Sequence, residues 1–542
     1  MTALLRTALS AAPGILGSAC AVLLIITALG LLRRLFSNAS LPGNLLWAGT
    51  GGRTTPLSIA RANLTSFFRL KELLDEGYTK YSKNGRTYVL PYFINGPQVI
   101  LPPSQIPWLL KQPDNVLSQE YVNRQFLQAD YAFFHANMVE DPVHPEIIRH
   151  QLTKKVDSFT DDVVDEACAS LEDHWGTDTE AWREVNVYDT MLHVVSRLSI
   201  RVLMGIPLCR DENFLSICSN FIRKVALAAA AISLFPRFLQ PIVGPIFTVY
   251  DYILYLRCRS YLMPTIHERL DRLQKTDTEE QSSKTQTPPN DYVEWAIGHA
   301  LAKPAVNPAE LDPRVIAARL AVLAFAMIQS SVITLTNTIF DIAASPQCAE
   351  SLASMREEVR REIETAGKPT ARKIRPRWGR KTLWRMTRVD SALRESLRLN
   401  GFIERGVMKM VVAPEGVTLP DGSHIPPGVK VGVSGYSIHH DEENYPDAMR
   451  YDAFRFVRDN DVGAGKRAQG LIKTSEKYMG FSHGPHACPG RFFAANQLKI
   501  ALGHIALLYE IEPLARRPEN KWFFGHIAPP LTATLRVRRR KM

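Results

Sequence analysis

FSHGPHACPGRFFA, residues Phe481 to Ala494, lies near the C-terminal end of a chain of 542 residues. A single cysteine, Cys488, sits among turn formers (Gly484, Pro485, Pro489, Gly490), and an amphipathic helical pattern runs on from Arg491 to about Leu508. The stretch therefore reads as a loop that delivers a sulfur to the start of a helix. Pro489 suits the first helical position, where a missing N–H costs nothing. The free N–H groups of Gly490 and Arg491 are then expected to point back at the sulfur, with the positive end of the helix dipole behind them. Both effects favour thiolate over thiol. A lone cysteine, with no partner cysteine and no CxxCH, argues against zinc, an iron–sulfur cluster or a c-type haem. Axial ligation of a haem iron is what remains.

The stretch resembles the haem-binding signature of the cytochrome P-450 family, F-x-x-G-x-R-x-C-x-G, with Phe481, Gly484, Cys488 and Gly490 in register. His486 stands where the family usually places an arginine that pairs with a haem propionate. A buried inert cysteine in a Gly/Pro turn is the bland alternative, and it loses ground to the motifs upstream.

Pro313 to Ala344 carries Ala, Leu and Ile throughout with no internal Gly or Pro. Such a run predicts a long helix that is apolar nearly all round and hence buried. By resemblance it is the family's central helix. The usual A-G-x-D/E-T-T reads here as Ala326, Met327, Ile328, Gln329, Ser330 and Ser331. Glycine has become methionine, the acid glutamine and the key threonine serine. The resemblance implies that Ser330 assists oxygen activation and relays protons through water ordered by Gln329. The competing reading is that these polar groups bond their own helix backbone. Glu395 and Arg398 share a face of a helical run over Asp390 to Leu399, and they match the family's E-x-x-R. Asp452-Ala453-Phe454-Arg455-Phe456 resembles the segment whose arginine completes a Glu–Arg–Arg cluster. A carboxylate between two guanidiniums is rigid, so Glu395, Arg398 and Arg455 are expected to be structural and to fix the loop bearing Cys488.

The remaining assignments follow from the same resemblance. Ala326, Met327, Ile328, Phe402, Ile403 and Ile527 are expected to line an apolar pocket. Lys409 falls near where an arginine often meets a propionate. The family's W-x-x-x-R helix is not recognisable around His144 to His150, where there is no tryptophan. The cofactor implied is haem b with an axial thiolate. Electrons are expected from an NADPH–cytochrome P-450 reductase, with cytochrome b5 as a second donor, and Lys473, Lys477 and Arg491 could form part of a basic docking face. An apolar polycyclic substrate, a terpenoid or another secondary metabolite, suits such a pocket, and HACPGRFFA resembles filamentous-fungal members. Two other functions stay open: a haem-thiolate isomerase or dehydratase that needs no reductase, and a non-enzymatic haem sensor.

Ala11 to Leu32 is 22 residues without a charge, about 33 Å as a helix and close to one hydrocarbon core. Arg33 and Arg34 follow, against a single Arg6 before, so the positive-inside rule puts the N-terminus in the lumen. A cleaved signal peptide fits less well, because no small-residue cleavage site precedes the arginine pair. The expected organisation is a short segment 1–10, an anchor 11–32, a linker 33–57 stiffened by Leu41-Pro42-Gly43, and a catalytic domain 58–542. That places a single-pass protein in the endoplasmic reticulum membrane with its body in the cytosol. Short alternating patterns at Thr87–Leu90 and Gln98–Leu101 suggest a small β region within Ser58–Pro103, and helical signals dominate from Ser104 to about Leu273. Ala226 to Leu254 is apolar but interrupted by Pro236, Pro241 and Pro245, which makes a bilayer crossing improbable. Thr276 to Asn290 reads as a solvent loop. Val417–Gly422 and Ile425–Gly428 punctuate short strands. The fold class expected is mainly α with small β-sheets, the α+β arrangement of the P-450 fold.

Composition agrees. Hydrophobic residues make up 46%, enough for a large core, and seven cysteines without paired spacing fit a reducing compartment. A net charge of +11 suits an anionic membrane or an acidic protein partner. No zinc finger, RNA-recognition motif or concentrated basic helix supports nucleic-acid binding.

Overall fold

The helix Pro313–Ala343 is the element around which the helical part of the chain is laid. Asp312 starts it: its carboxylate accepts the Arg314 N–H at 2.7 Å, and Pro313 occupies the first turn. It stops where Ala344 donates back to Phe340 and Ser345-Pro346 follows. Between these ends Ile316, Ile328, Val332, Leu335, Ile339, Phe340 and Ile342 are fully buried. Each contributes about 1.5–3 kcal/mol as an upper figure. The helix packs against Val187–Met204 and against Thr387–Leu399.

The computed structural model describes residues 24–541, apart from 39, 136, 141–142, 279–288, 304–306, 367–377, 403, 458–469 and 524–525. Most of the expected anchor, most of the Thr276–Asn290 loop and the pocket candidate Ile403 lie outside the described residues. The chain divides into two compact units. One comprises the residues up to Tyr131 together with Ala226–Val249 and Met408–Val433. It holds a six-stranded mixed sheet in the order Leu46–Trp47, Tyr88–Leu90, Gln98–Ile100, Lys430–Val433, Gly406–Val411, Leu117–Ser118. The strands fall where the alternation at Thr87–Leu90 and Gln98–Leu101 predicts them. The segment before them does not follow the expected β reading: Pro56–Phe68 and Leu70–Lys80 are helices. Thr55 caps the first of these with Pro56 at its first position, a start signal that outweighs the nearby strands.

In the same unit, residues 24–35 form a helix with Leu24, Ile25, Leu29 and Leu32 exposed. Arg34 at its end donates to the carbonyls of Ser233 (2.9 Å), Leu234 (3.2 Å) and Phe235 (2.6 Å). Helix Glu212–Ser233 stops before Pro236, as the proline pattern predicts, but Pro241 and Pro245 lie within helix Gln240–Thr278 and do not break it. Among the described residues two helices are long and apolar enough to cross a membrane, Glu212–Ser233 and Pro313–Ala343, and the second is largely buried in the protein.

The other unit comprises Ala132–Val225, Tyr250–Val407 and Ser434–Met542. It is helical, with a three-stranded antiparallel sheet (Tyr509–Ile511, Thr534–Arg539, Arg183–Asn186) and a short hairpin pairing Lys521–Phe523 with His526–Ala528. One large apolar cluster unites the central helix, Thr387–Leu399 and Arg491–Leu508. The start of Thr387–Leu399 is held by a carboxylate from a different helix. Glu358, itself buried, accepts from the Arg388 N–H (2.9 Å), the Val389 N–H (3.1 Å) and the Thr387 hydroxyl (3.0 Å). Truncating Glu358 strands three donors in the interior, whereas truncating Asp312 frees an N–H in an exposed turn. Glu358→Ala is therefore expected to cost about 3 kcal/mol and Asp312→Ala about 1 kcal/mol. The order of their urea midpoints checks this.

Candidate active site

Glu395 is the most enclosed charge near the cysteine loop, with no exposure at all. Arg398, one helical turn on, meets it bidentately: Nε reaches Oε2 and Nη2 reaches Oε1, both at 2.8 Å. Arg455 donates its Nε to Oε1 at 2.8 Å. The two guanidiniums use their remaining N–H groups on backbone carbonyls. Arg398 donates to His439 and Ala448, and Arg455 to Pro446, Asp447 and Arg450. The segment from His439 to Arg455 is thus tied to the helix Thr387–Leu399.

From His439 the tie passes to the cysteine loop. Its Nε2 accepts the Met479 N–H at 2.9 Å, and its ring stacks on Tyr478 at 5.6 Å. Arg394 covers the other aromatic surface, 3.5 Å from the Tyr478 ring centroid, and donates to the carbonyls of Gly470 and Lys473 at 2.7 Å each. Next comes Gly480, where a Cβ would stand 2.7 Å from Leu397 Cδ2 and 2.8 Å from the Tyr478 hydroxyl. Only glycine lets the chain pass that close to the helix. Phe481 then accepts the Cys488 N–H at 2.9 Å, closing a loop that turns at Gly484 with φ of +82°.

Cys488 is half-buried at the end of that loop. Helix Arg491–Leu508 starts two residues later than the Pro489 reading predicts, with Gly490 as its cap residue and Pro489 in the preceding turn. The N–H groups of Gly490 and Arg491 do face the sulfur, and Arg491 donates its Nη1 to the Cys488 carbonyl at 2.8 Å. These groups and the Arg491 charge pull the thiol pKa down, yet burial outweighs them and leaves it raised. The N–H groups thus act in the direction expected from the helix end, favouring thiolate, while burial of the loop opposes them. Among the described residues no cluster of three or more His, Cys, Asp or Glu could hold a bare metal ion. A sulfur with N–H donors on one side and no second protein ligand fits a metal that brings its own equatorial ligands, as haem does.

The central helix opens at the stretch the motif marks. Val322–Ala324 are buried and so is Ser331, but Ala326 is exposed and Phe325, Met327, Gln329 and Ser330 are half-buried. Ser330 donates its hydroxyl to the Ala326 carbonyl at 3.1 Å, as the backbone-bonding alternative predicts. Gln329 hydrogen-bonds the buried phenol of Tyr188 on helix Val187–Met204. Met327 and Phe402 pack against the same apolar cluster, to which Ile328 belongs. Ile527 is buried in the hairpin opposite Trp522. His486 is half-buried in the loop. Lys409 lies in the sheet unit, its ammonium donating to the Gln112 carbonyl at 2.9 Å.

The cytochrome P-450 family model matches residues 69–535. The chain belongs to the cytochrome P-450 family. It is 33% identical to cytochrome P-450 monooxygenase polB of Polytolypa hystricis, over 91% of this chain and 93% of that one. It is 31% identical to cytochrome P-450 monooxygenase lnaC of Aspergillus flavus, over 96% and 97%. Cytochrome P-450 monooxygenase htyF of Aspergillus rugulosus is 31% identical over 88% of this chain and 70% of its own length.

Several groups that shape this P-450's site escape a motif search. Asp390, Arg394 and Arg398 recur every fourth residue on the helix that carries Glu395, a buried charged stripe that the spacing could have flagged. Asp390 pairs with Lys499 of the cysteine-side helix at 2.6 Å and accepts the Leu471 N–H. His439 and Tyr188 have no local sequence signal, because their partners come from 40 and about 140 residues away.

Two predictions follow from the tie between Glu395 and the loop. Glu395→Ala leaves two guanidiniums facing each other without a counter-charge, and should cost about 3–5 kcal/mol; urea unfolding and the yield of folded protein measure it. His439 is held neutral, with burial and neighbouring cations lowering its pKa to about 3 from an ordinary 6.5. Between those values the unfolded chain binds a proton that the folded chain refuses, so stability falls as pH drops from 6.5 toward 3. The urea midpoint should decline through this range, and more shallowly in His439→Gln.

Proposed function

We propose that this P-450 is a membrane-associated monooxygenase that oxidises an apolar small molecule, with Cys488 as the axial ligand of haem b. The observation that carries the reading is the Cys488 loop, closed on Phe481 and braced through His439 to the Glu395 cluster. When bound, thiolate-ligated haem supplies the activation of dioxygen. The protein's own part is to orient, to exclude water and to place protons. Gly490 and Arg491 direct their N–H groups at the sulfur and moderate its charge. Ala326 leaves room on the facing helix, and Met327, Phe402, Ile403 and Ile527 are proposed to receive the substrate. Ser330 is proposed to hand protons on, with its neighbour Gln329 anchored by Tyr188. His486 and Lys409 are proposed propionate partners.

The partner proposed is an NADPH–cytochrome P-450 reductase, with cytochrome b5 as a second donor, docking over Lys473, Lys477 and Arg491. The uncharged run from Ala11 to Leu32, within which Leu24, Ile25 and Leu29 are exposed, supports a single anchor in the endoplasmic reticulum membrane. Terpenoids or other secondary metabolites are the proposed substrate class. The relatives are named cytochrome P-450 monooxygenases and come from Aspergillus and Polytolypa, and the apolar character of the proposed lining residues agrees with the class.

A second reading, a haem-thiolate isomerase or dehydratase, is favoured by one observation: the Ser330 hydroxyl already donates to its own backbone. Oxygen and NADPH decide between the two. A monooxygenase loses turnover when either is withheld, and an isomerase keeps it. The reduced carbon monoxide difference spectrum should show the thiolate-type band in wild type and none in Cys488→Ala; identical spectra would reject the ligand. Ser330→Ala should consume NADPH at a comparable rate but divert electrons to peroxide. Product formed per NADPH measures this, and an unchanged ratio removes Ser330 from oxygen activation.

A further inference from the structure

Cys218 and Cys258 are 40 residues apart in sequence, yet their Sγ atoms are 3.7 Å apart, both side chains buried and sharing a thiol–thiol hydrogen bond. Each sits on a different helix, Glu212–Ser233 and Gln240–Thr278. The pair belongs to the large apolar cluster that includes the central helix, and elsewhere on the same two helices Phe221, Val225, Leu254 and Tyr255 share a second cluster with Val315, Ala318 and Val322 of the central helix. The two cysteine-bearing helices therefore pack on the central helix one to three turns before Ala326. Spacing in the sequence gives no hint of this pairing. We propose that Cys218 and Cys258 form a peroxide-sensitive dithiol, an oxidation site whose disulfide fastens the two covering helices to each other.

The geometry asks for little movement. A disulfide needs an S–S separation of about 2.05 Å, which rotamer adjustment of two side chains already in contact can approach. The chemistry balances with hydrogen peroxide as oxidant. One sulfur attacks the peroxide, whose O–O bond breaks, giving a sulfenic acid and one water. The second sulfur displaces the hydroxyl, forming the S–S bond and a second water that carries the remaining thiol proton. Two thiols are oxidised by two electrons and one peroxide is reduced to two waters. The hydrogen bond between the sulfurs, and then burial, raise the Cys218 thiol pKa, so the reaction is slow at neutral pH and quickens in alkali. Burial also excludes bulky oxidants and leaves the site to small ones. Dithiols reverse the bond by exchange. This inference does not depend on the oxygenase reading, because it concerns sulfurs other than Cys488.

The test uses the full-length haem-loaded protein in detergent. Wild type is treated with hydrogen peroxide, then denatured and alkylated. The expected result is two fewer alkylated thiols per chain, restored by dithiothreitol, and a proteolytic digest containing one peptide pair that links Cys218 to Cys258. Cys218→Ala and Cys258→Ala should each keep the remaining thiol alkylatable after peroxide. The digest of wild type decides the matter even if a variant folds poorly. Both cysteines fully alkylated after treatment, or a cross-link joining either of them to a different cysteine, overturns the proposal.

Discussion

A fully buried carboxylate must recover its lost hydration from its neighbours, and Glu395 does so through the Arg398 and Arg455 guanidiniums, with the Asp452 N–H beside them. Replacing such a cluster with apolar residues need not weaken a protein, so the cluster is poor evidence for stability as such. Its effect is on uniqueness. Each oxygen position is matched by a guanidinium fork, and each fork is itself pinned by carbonyls at His439, Ala448, Pro446, Asp447 and Arg450. A shift of this segment by one residue would break all of these at once. That is the property a loop needs if it must present one sulfur in one place.

The same helix carries two further restraints on the loop, Arg394 to the carbonyls of Gly470 and Lys473, and Asp390 to Lys499 and the Leu471 N–H. These differ in kind from the ion pairs on the surface. Arg516 and Glu519, whose side chains are 81% and 74% exposed, contribute about 0–1 kcal/mol after screening and side-chain entropy. Buried charges that lose a partner cost several times that. Helix Thr387–Leu399, whose own N-terminus depends on the Glu358 carboxylate, thus carries several of the buried charges, alongside separate buried clusters at Glu166 and Asp341.

Much of this frame is legible in the sequence because it is local. The central helix announces itself by an apolar run bounded by Asp312-Pro313 and Pro346, and its observed limits fall within a residue of the expected ones. Glu395 and Arg398 are three residues apart, and Cys488 stands in a Gly/Pro loop before a periodic segment. The departures arise where a non-local or many-body balance decides. Helix Pro56–Phe68 hides beside strands that attract the eye, although Thr55 and Pro56 mark its start. The Cys488 thiol also depends on the burial of its loop, which no motif states and which opposes the pull of the Gly490 and Arg491 N–H groups. His439, Tyr188 and the Cys218–Cys258 contact are made by partners far along the chain. A pattern search over neighbouring residues has no access to them.

Ser330 shows how a small side chain can leave a role open. Thr334 and Thr338 donate to the carbonyls four residues back at 2.8 Å and 2.7 Å, while Ser330 does so at 3.1 Å. A threonine's branched Cβ restricts its rotation, whereas serine turns more freely. The back-bond is worth about 0.5–1.5 kcal/mol net, so a stronger acceptor near the half-buried face can draw the hydroxyl away from Ala326. Its two lone pairs remain available in either orientation. The backbone bond therefore does not conflict with the role proposed for Ser330, because the energy holding the hydroxyl on Ala326 is one that a single hydrogen bond can offset.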